Sequence, residues 1–173
     1  ALSFREEAEQ RALRESQLEK ELVEAQLVVL RAQLGPHFLF NTLHSIEVLI
    51  RHDPELAQDT LRRLSSLLRG GLRAAVDQFI TLQEELRHAS AYLGIEQVRF
   101  ADRLTVQWDI EHGCESAHVP SLLLQPLVEN AIRHGIAPRE EGGTVRIAVR
   151  RAERMLNLEV ADDGVGFGGG ATT

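Results

Sequence analysis

The stretch Gln33–Ile50, QLGPHFLFNTLHSIEVLI, decides how the chain is read. Taken as helix after Pro36, with about 100° of rotation per residue, it sorts its side chains into two faces. Leu39, Leu43, Ile46 and Ile50 fall in one narrow sector and are expected to face the core. His37, Asn41, His44 and Val48 gather on the opposite side. A histidine that merely filled a core would sit on the apolar stripe, and His37 does not. Gly35 and Pro36 stand immediately before it. Proline lacks a backbone donor and clashes with the preceding turn, so a kink or a fresh helix start is expected at the histidine itself. The residue then reads as a solvated side chain near a helix start, as a metal ligand with His44, or as a reactive imidazole. No third ligand stands at a supporting spacing for the metal reading, and the rest of the chain has to separate the other two.

Composition narrows the field. A chain of 173 residues can hold one domain or two small ones. A formal charge of -7 argues against nucleic acid as the main partner, because phosphate binding needs a basic surface. The single Cys114 rules out an internal disulfide framework and fits a reducing compartment. The longest apolar runs fall well short of the roughly 18 residues that span a bilayer, and no signal peptide is visible. What is present reads as soluble, with any membrane segment expected before Ala1 in a longer parent chain.

Upstream of the opening stretch, residues 4–34 contain no Gly or Pro and are rich in Glu, Arg, Gln, Leu and Ala. They read as one long helix with two offset seams, Leu18, Leu22, Ala25, Val29 and Val23, Leu27, Leu30, Leu34, each alternating spacings of four and three as in a coiled coil. So narrow a seam cannot bury itself alone, which predicts a homodimer. Downstream, Asp53 and Pro54 supply an N-cap and a first-turn proline for a second helix with an apolar stripe of Ala57, Leu61, Leu64 and Leu68. The two helices are expected to form an antiparallel hairpin, and two hairpins a four-helix bundle. Gly70-Gly71 is read as a local break or hinge. Thr81 followed by Glu84 resembles a capping box that opens a third helix, LQEELRHASAYLGIEQVRF.

Beyond Arg103 the texture changes. LTVQWDI, TVRIAVR and LNLEVAD alternate as strands do, and the helical PSLLLQPLVENAIRHG lies between the first and second of them. Strand, helix and strand pair make an α+β layer distinct from the helical half, with the boundary near residues 97–102. In the helix, Leu123, Leu127 and Ala131 share one face, with Leu124, Val128 and Ile132 beside it. Asn130 and His134 stand one turn apart on the polar side. Pro126 costs about 3 kcal/mol in a helix interior, so the helix is expected to start near Leu123 or to kink. The last strand runs into Asp162-Asp163-Gly164-Val165-Gly166-Phe167. A strand-end carboxylate followed by glycines lets the backbone approach a flat or phosphorylated ligand. Asp162 is placed to accept from an exocyclic amine such as that of adenine, and the Asn130 amide oxygen suits a hard metal ion beside phosphates.

Together these segments resemble the sensor histidine kinases of the LytS and YehU type. The resemblance rests on LRAQLGPHFLFNTLHSI, TLQEELRHASAYLGIEQVRFADRL, PSLLLQPLVENAIRHGI (the N box) and VADDGVGF (the start of the G1 box), in family order over roughly residues 30 to 167. It implies a coiled coil over 1–34, dimerisation and phosphotransfer helices with a linker helix over 35–98, and a partial GHKL-type, ATP-binding α/β sandwich over 99–173. His37 is then the phosphoacceptor, attacking the γ-phosphate of ATP. Asn130 is the Mg²⁺ ligand. His134, Asp162, Gly164 and Gly166 complete the nucleotide-binding set. Neutral imidazole is nucleophilic at physiological pH, and its phosphoramidate passes the group to an aspartate. The implied partners are a second copy of the chain and a response-regulator receiver, of the LytTR type by family precedent. The implied location is the cytoplasmic portion of a membrane-anchored bacterial sensor.

Three features depart from the pattern. Phe38 follows His37 where many histidine kinases carry an acidic base, leaving Asn41, one turn on, as the candidate for orienting the imidazole or a water. Pro126 occupies the position four before Asn130, and Glu129 lies about 100° around the helix from Asn130. The sequence closes on GFGGGATT, where the family's ATP lid and second glycine box would follow, so the chain reads as C-terminally incomplete. These departures keep alive a noncatalytic dimeric signalling module. A GHKL ATPase without phosphohistidine would explain Asn130 and Asp162 but leaves PHFLFN and the coiled coil without a role.

Overall fold

The computed structural model describes Arg14 and residues 35–74, 76–153 and 155–166. Apart from Arg14, the expected coiled-coil seams lie outside the described residues. The chain splits into two units, Ala1–Leu39 and Phe40–Thr173. In the first, Gly35 takes a left-handed φ of 65°, and Pro36 then opens helix α1 (Pro36–His52). Proline at a first helical position loses only a donor that would be unsatisfied anyway, so the fresh start predicted at His37 is present. His37 is exposed and Phe38 is buried.

Farther along α1, Thr42 and Ile46 are buried, whereas Leu43 is 52% and Ile50 61% exposed. The expected core stripe of Leu39, Leu43, Ile46 and Ile50 is therefore corrected. The buried positions, Phe38, Thr42 and Ile46, follow a spacing of four, and Ile46 alone belongs to both sets. The helix carries two apolar faces, and the chain by itself covers one.

Asp53 caps helix α2 (Pro54–Ala74) as predicted, its Oδ1 accepting from the Leu56 N–H at 3.0 Å. The buried line in α2 is Ala57, Thr60, Leu64 and Leu67, which corrects Leu61 and Leu68 in the expected stripe. Thr60 tolerates burial because its hydroxyl donates to the Leu56 carbonyl at 2.7 Å. No break occurs at Gly70-Gly71, since α2 runs through both. A Cβ on Gly70 would stand 2.4 Å from His88 Nε2, so this glycine makes room for a neighbouring helix's side chain instead of bending its own.

Strand β1 (Phe79–Thr81) leads into α3 (Leu82–Phe100). The capping box is formed: Glu84 N–H donates to Thr81 Oγ1 at 3.2 Å and Thr81 N–H to Glu84 Oε2 at 3.1 Å. After a single 3₁₀ turn, Ala101–Arg103, come β2 (Leu104–Ile110), β3 (His118–Pro120), α4 (Leu124–Asn130), β4 (Gly143–Ala152) and β5 (Met155–Asp162). The short β1 pairs antiparallel with β3, a pairing that three-residue strands do not announce in sequence. The larger sheet has the order β2-β4-β5, with β2 parallel to β4 and β4 antiparallel to β5. Parallel neighbours need a long crossover, and α4 lies within it.

Alternation in β4 sets the layers. Val145, Ile147 and Val149 are fully buried, as are Leu124, Val128, Ile132 and Ile136 of the crossover, each worth roughly 1.5–3 kcal/mol on burial. The first turn of α3 joins this core through Leu82, which packs with Cys114, Val119 and Val149. The result is the expected combination of helices with an α+β layer. Among the described residues no helix is long and apolar enough to cross a membrane.

On α3, Glu96 is 2% exposed with Arg99 Nη2 at 2.9 Å. Burial pushes its carboxyl up to about 7, Arg99 pulling down and Glu129 adding to the rise. With the folded value above the unfolded one, the neutral form's contribution to stability is fully present below about 4.5 and lost as pH rises through about 7. Glu96→Gln mimics the neutral form. Its unfolding free energy relative to the parent protein, from urea melts, is expected to rise by about 2 kcal/mol between pH 5 and pH 8.5; an equal difference at both pH values would contradict this.

Candidate functional site

The residues singled out downstream converge on the end of β5. Asp162 is the last residue of that strand, and its Oδ1 accepts from the Gly164 N–H at 3.0 Å. This local bond folds the chain back over its own carboxylate, as aspartate side chains do in turns. Gly135 closes the other side: a Cβ there would meet Asp162 Oδ1 at 2.2 Å. A Cβ on Gly164 would in turn meet the Gly135 backbone carbon and oxygen at 2.3 Å, and the Val165 N–H donates to the Gly135 carbonyl at 3.3 Å. The helix turn ending the ENAIRHG run and the DDGVG turn are thus sealed backbone to backbone.

That helix is not regular. Past Asn130 it widens into a π-helical segment, Ala131–Ile136, in which the Ala137 N–H reaches back five residues to the Ile132 carbonyl at 2.8 Å. Insertions of this kind are frequent at functional sites. Pro126 sits in the first turn of α4, where its missing N–H forfeits no intrahelical hydrogen bond. The buried line through α4 and the π segment is Leu124, Val128, Ala131 and Ile132. Leu127, expected on the core face, is 45% exposed because the sheet contacts the line one position away. Asn130 and His134 are both exposed, on the polar side as predicted. Next to Asn130, Glu129 accepts from Gln125 Nε2 at 2.7 Å; burial holds its carboxyl above the usual range, and that hydrogen bond opposes the rise.

Several contributors carry no signal in the sequence. Asp163 Oδ1 accepts from the Thr144 N–H at 2.6 Å, and the Asp163 carbonyl accepts from the Arg139 guanidinium. These bonds tie the turn to β4. Gly135 lay inside the quoted motif, but its need to be small arises only from the tertiary approach. At this sheet end Gln107, Thr144, Arg146, Ala161, Asp162 and Asp163 line a cleft of about 320 Å³. A larger hollow of about 420 Å³, around Cys114, His118 and Leu156, holds none of the predicted site residues.

The structure thus brings Asp162 and Gly164 together with Gly135. Gly166 follows in the same turn with φ 70°. His37 belongs to the Ala1–Leu39 unit, and Asn41, four residues on in α1, to the other.

The profile of the family described as "Histidine kinase" matches residues 25–104. The sensor protein LytS of Enterococcus faecalis is 40% identical over 148 residues, covering 86% of this chain and 25% of that protein. The sensor protein LytS of Staphylococcus haemolyticus is 38% identical over 148 residues, covering 86% and 25%. The sensor histidine kinase BtsS of Escherichia coli K12 is 40% identical over 142 residues, covering 82% and 25%. The chain belongs to the histidine kinases. Within them it falls on the LytS type, and it spans about a quarter of the length of the curated relatives it matches.

The sealed turn yields a contrast. Gly164→Ala places a methyl against the Gly135 backbone and is expected to cost about 3 kcal/mol. Gly166→Ala meets no described atom within 4 Å and is expected to cost only about 1 kcal/mol for its left-handed φ. Urea unfolding of both variants checks the order; equal costs would show that the two turns are not in contact.

Proposed function

We propose that this chain is the phosphoacceptor, dimerisation and partial nucleotide-binding portion of a two-component sensor histidine kinase, in which His37 takes the γ-phosphoryl group of ATP. The observation that carries the nucleotide half is the strand-end carboxylate. Asp162 Oδ1 is held by the Gly164 N–H, while Oδ2 has no hydrogen-bond partner among the described residues and is left to accept from the adenine amine. Sealing by Gly135 fixes that oxygen before the ligand arrives, which lowers the ordering cost of binding.

The remaining roles follow from chemistry. Asn130 and His134, exposed at the end of α4 and on the π segment, face the phosphates. The Asn130 amide supplies a neutral oxygen to a hard cation. Mg²⁺, when bound with the nucleotide, neutralises charge on the β- and γ-phosphates. Gly164 and Gly166 let the backbone approach the base. An imidazole nitrogen lone pair of His37 attacks phosphorus; the bond to the ADP oxygen breaks, and the proton on the other ring nitrogen is free to leave to water. Asn41 orients the ring or that water, a task open because Phe38 is no base. The phosphoryl group then passes to a receiver-domain aspartate of a response regulator, of the LytTR type on family precedent.

The division into a coiled coil over 1–34, phosphotransfer helices with linker over 35–98 and nucleotide domain over 99–173 is part of the same proposal. So is the homodimer with its antiparallel four-helix bundle. Phe40, Leu43, Ile50 and Leu61 are exposed on α1 and α2, and a second copy would cover them. Anchoring to a membrane falls to sequence outside this chain.

Full-length protein incubated with Mg-ATP is expected to gain acid-labile, base-stable phosphate, and His37→Gln to lose essentially all of it. Phosphate retained in the variant would refute the assignment of His37, and none on the parent protein would favour the noncatalytic signalling module.

A further inference from the structure

The helix that carries Asn130 has no cap of its own. Its N-cap residue, Leu123, is in helical conformation and offers no side-chain hydrogen bond, and the residue before it, Leu122, is held at φ 59°. Leucine pays about 1–2 kcal/mol for a left-handed backbone. What meets the unsatisfied N–H groups is a carboxylate from another helix. Glu85, in the first turn of α3, accepts from the Leu124 N–H at 2.6 Å and from the Leu122 N–H at 3.1 Å. The Glu85 side chain is 1% exposed. Burial pushes its carboxyl above the usual range, while the backbone N–H groups of residues 122–125 pull it back.

A serine or aspartate one residue before the helix is the usual local alternative, accepting from an N–H of the first turn at the surface. Here a buried charge and a strained leucine are maintained instead, and both are costs unless the position of the helix matters. Asn130 lies six residues beyond Leu124, about 9 Å along the axis, so a shift or rotation at the start of α4 is carried to its amide.

We propose that Glu85 is a positioning residue of the nucleotide site: by capping α4 from the linker helix α3, it sets where Asn130 presents its oxygen to the metal-bound phosphates. This inference rests on the kinase reading above. It also makes α3 the element through which a displacement of the upstream helices would alter nucleotide binding, because Glu85 lies in its first turn, directly after Glu84 of the capping box that starts that helix.

Glu85→Gln keeps size and one acceptor oxygen but opposes an amide N–H to the N–H of Leu122. In full-length protein, calorimetry is expected to show at least a tenfold loss in affinity for Mg-ATP. Affinity for ADP in EDTA, which depends on the adenine contact, is expected to stay within twofold. An equal loss for both ligands, or none for either, overturns the proposal; absence of Mg-ATP binding by the parent protein instead overturns the kinase reading. Should Glu85→Gln fail to fold, amide exchange in the parent protein decides. Slow exchange at Leu122 and Leu124 supports the cap, and exchange as fast as an exposed loop rejects it.

Discussion

The architecture depends on one close approach. Gly164 and Gly135 touch backbone to backbone, with no space for a Cβ on Gly164, and the Asp162 carboxylate lies where a Cβ on Gly135 would stand. Two segments that are almost 30 residues apart thereby become one wall. Strand β5 delivers the carboxylate, and the π segment after Asn130 delivers the glycine. A side chain at Gly164 would push the helix layer off the strand end, whereas one at Gly135 would displace the Asp162 carboxylate itself.

The second constraint is polar and buried. The α/β layer is joined to α3 both by apolar packing at Leu82 and by the Glu85 carboxylate on the start of α4. Apolar contacts hold elements together but tolerate sliding, whereas charge-assisted hydrogen bonds to two specific N–H groups do not. The same helix bears Glu96, also buried, whose carboxyl is raised toward neutrality. Glu96 lies eleven residues beyond Glu85, so the two share one face of α3.

Much of this was legible in the sequence. The strands at residues 104–110, 143–152 and 155–162 showed their alternation, and Asp53 and Thr81 announced their helices because caps act within a few residues. Asp162 could be picked out because a carboxylate at a strand end before glycines has a local chemical meaning. The differences between pattern and structure have one cause. A helical wheel places Leu43, Ile50, Leu61 and Leu127 on core faces because it ranks residues by apolarity alone, while burial depends on which face a neighbour reaches. Thr42 and Thr60 are buried in their place. Gly70 reads as a hinge in sequence, yet its role is set by His88 on another helix. Gly135, Glu85 and the π segment could not be seen either, for each acquires its meaning from a partner 18 or more residues away or from backbone bonding that no side-chain pattern encodes.

The central claim is that Asp162, fixed by Gly164 and Gly135, reads the adenine amine. Guanine carries a carbonyl oxygen where adenine carries that amine, so a carboxylate acceptor there discriminates by leaving two acceptors opposed. Calorimetric titration of the full-length protein with ATP and with GTP, both with Mg²⁺, measures it directly. The account predicts that GTP binds at least tenfold more weakly than ATP. Equal affinities for the two nucleotides would contradict it.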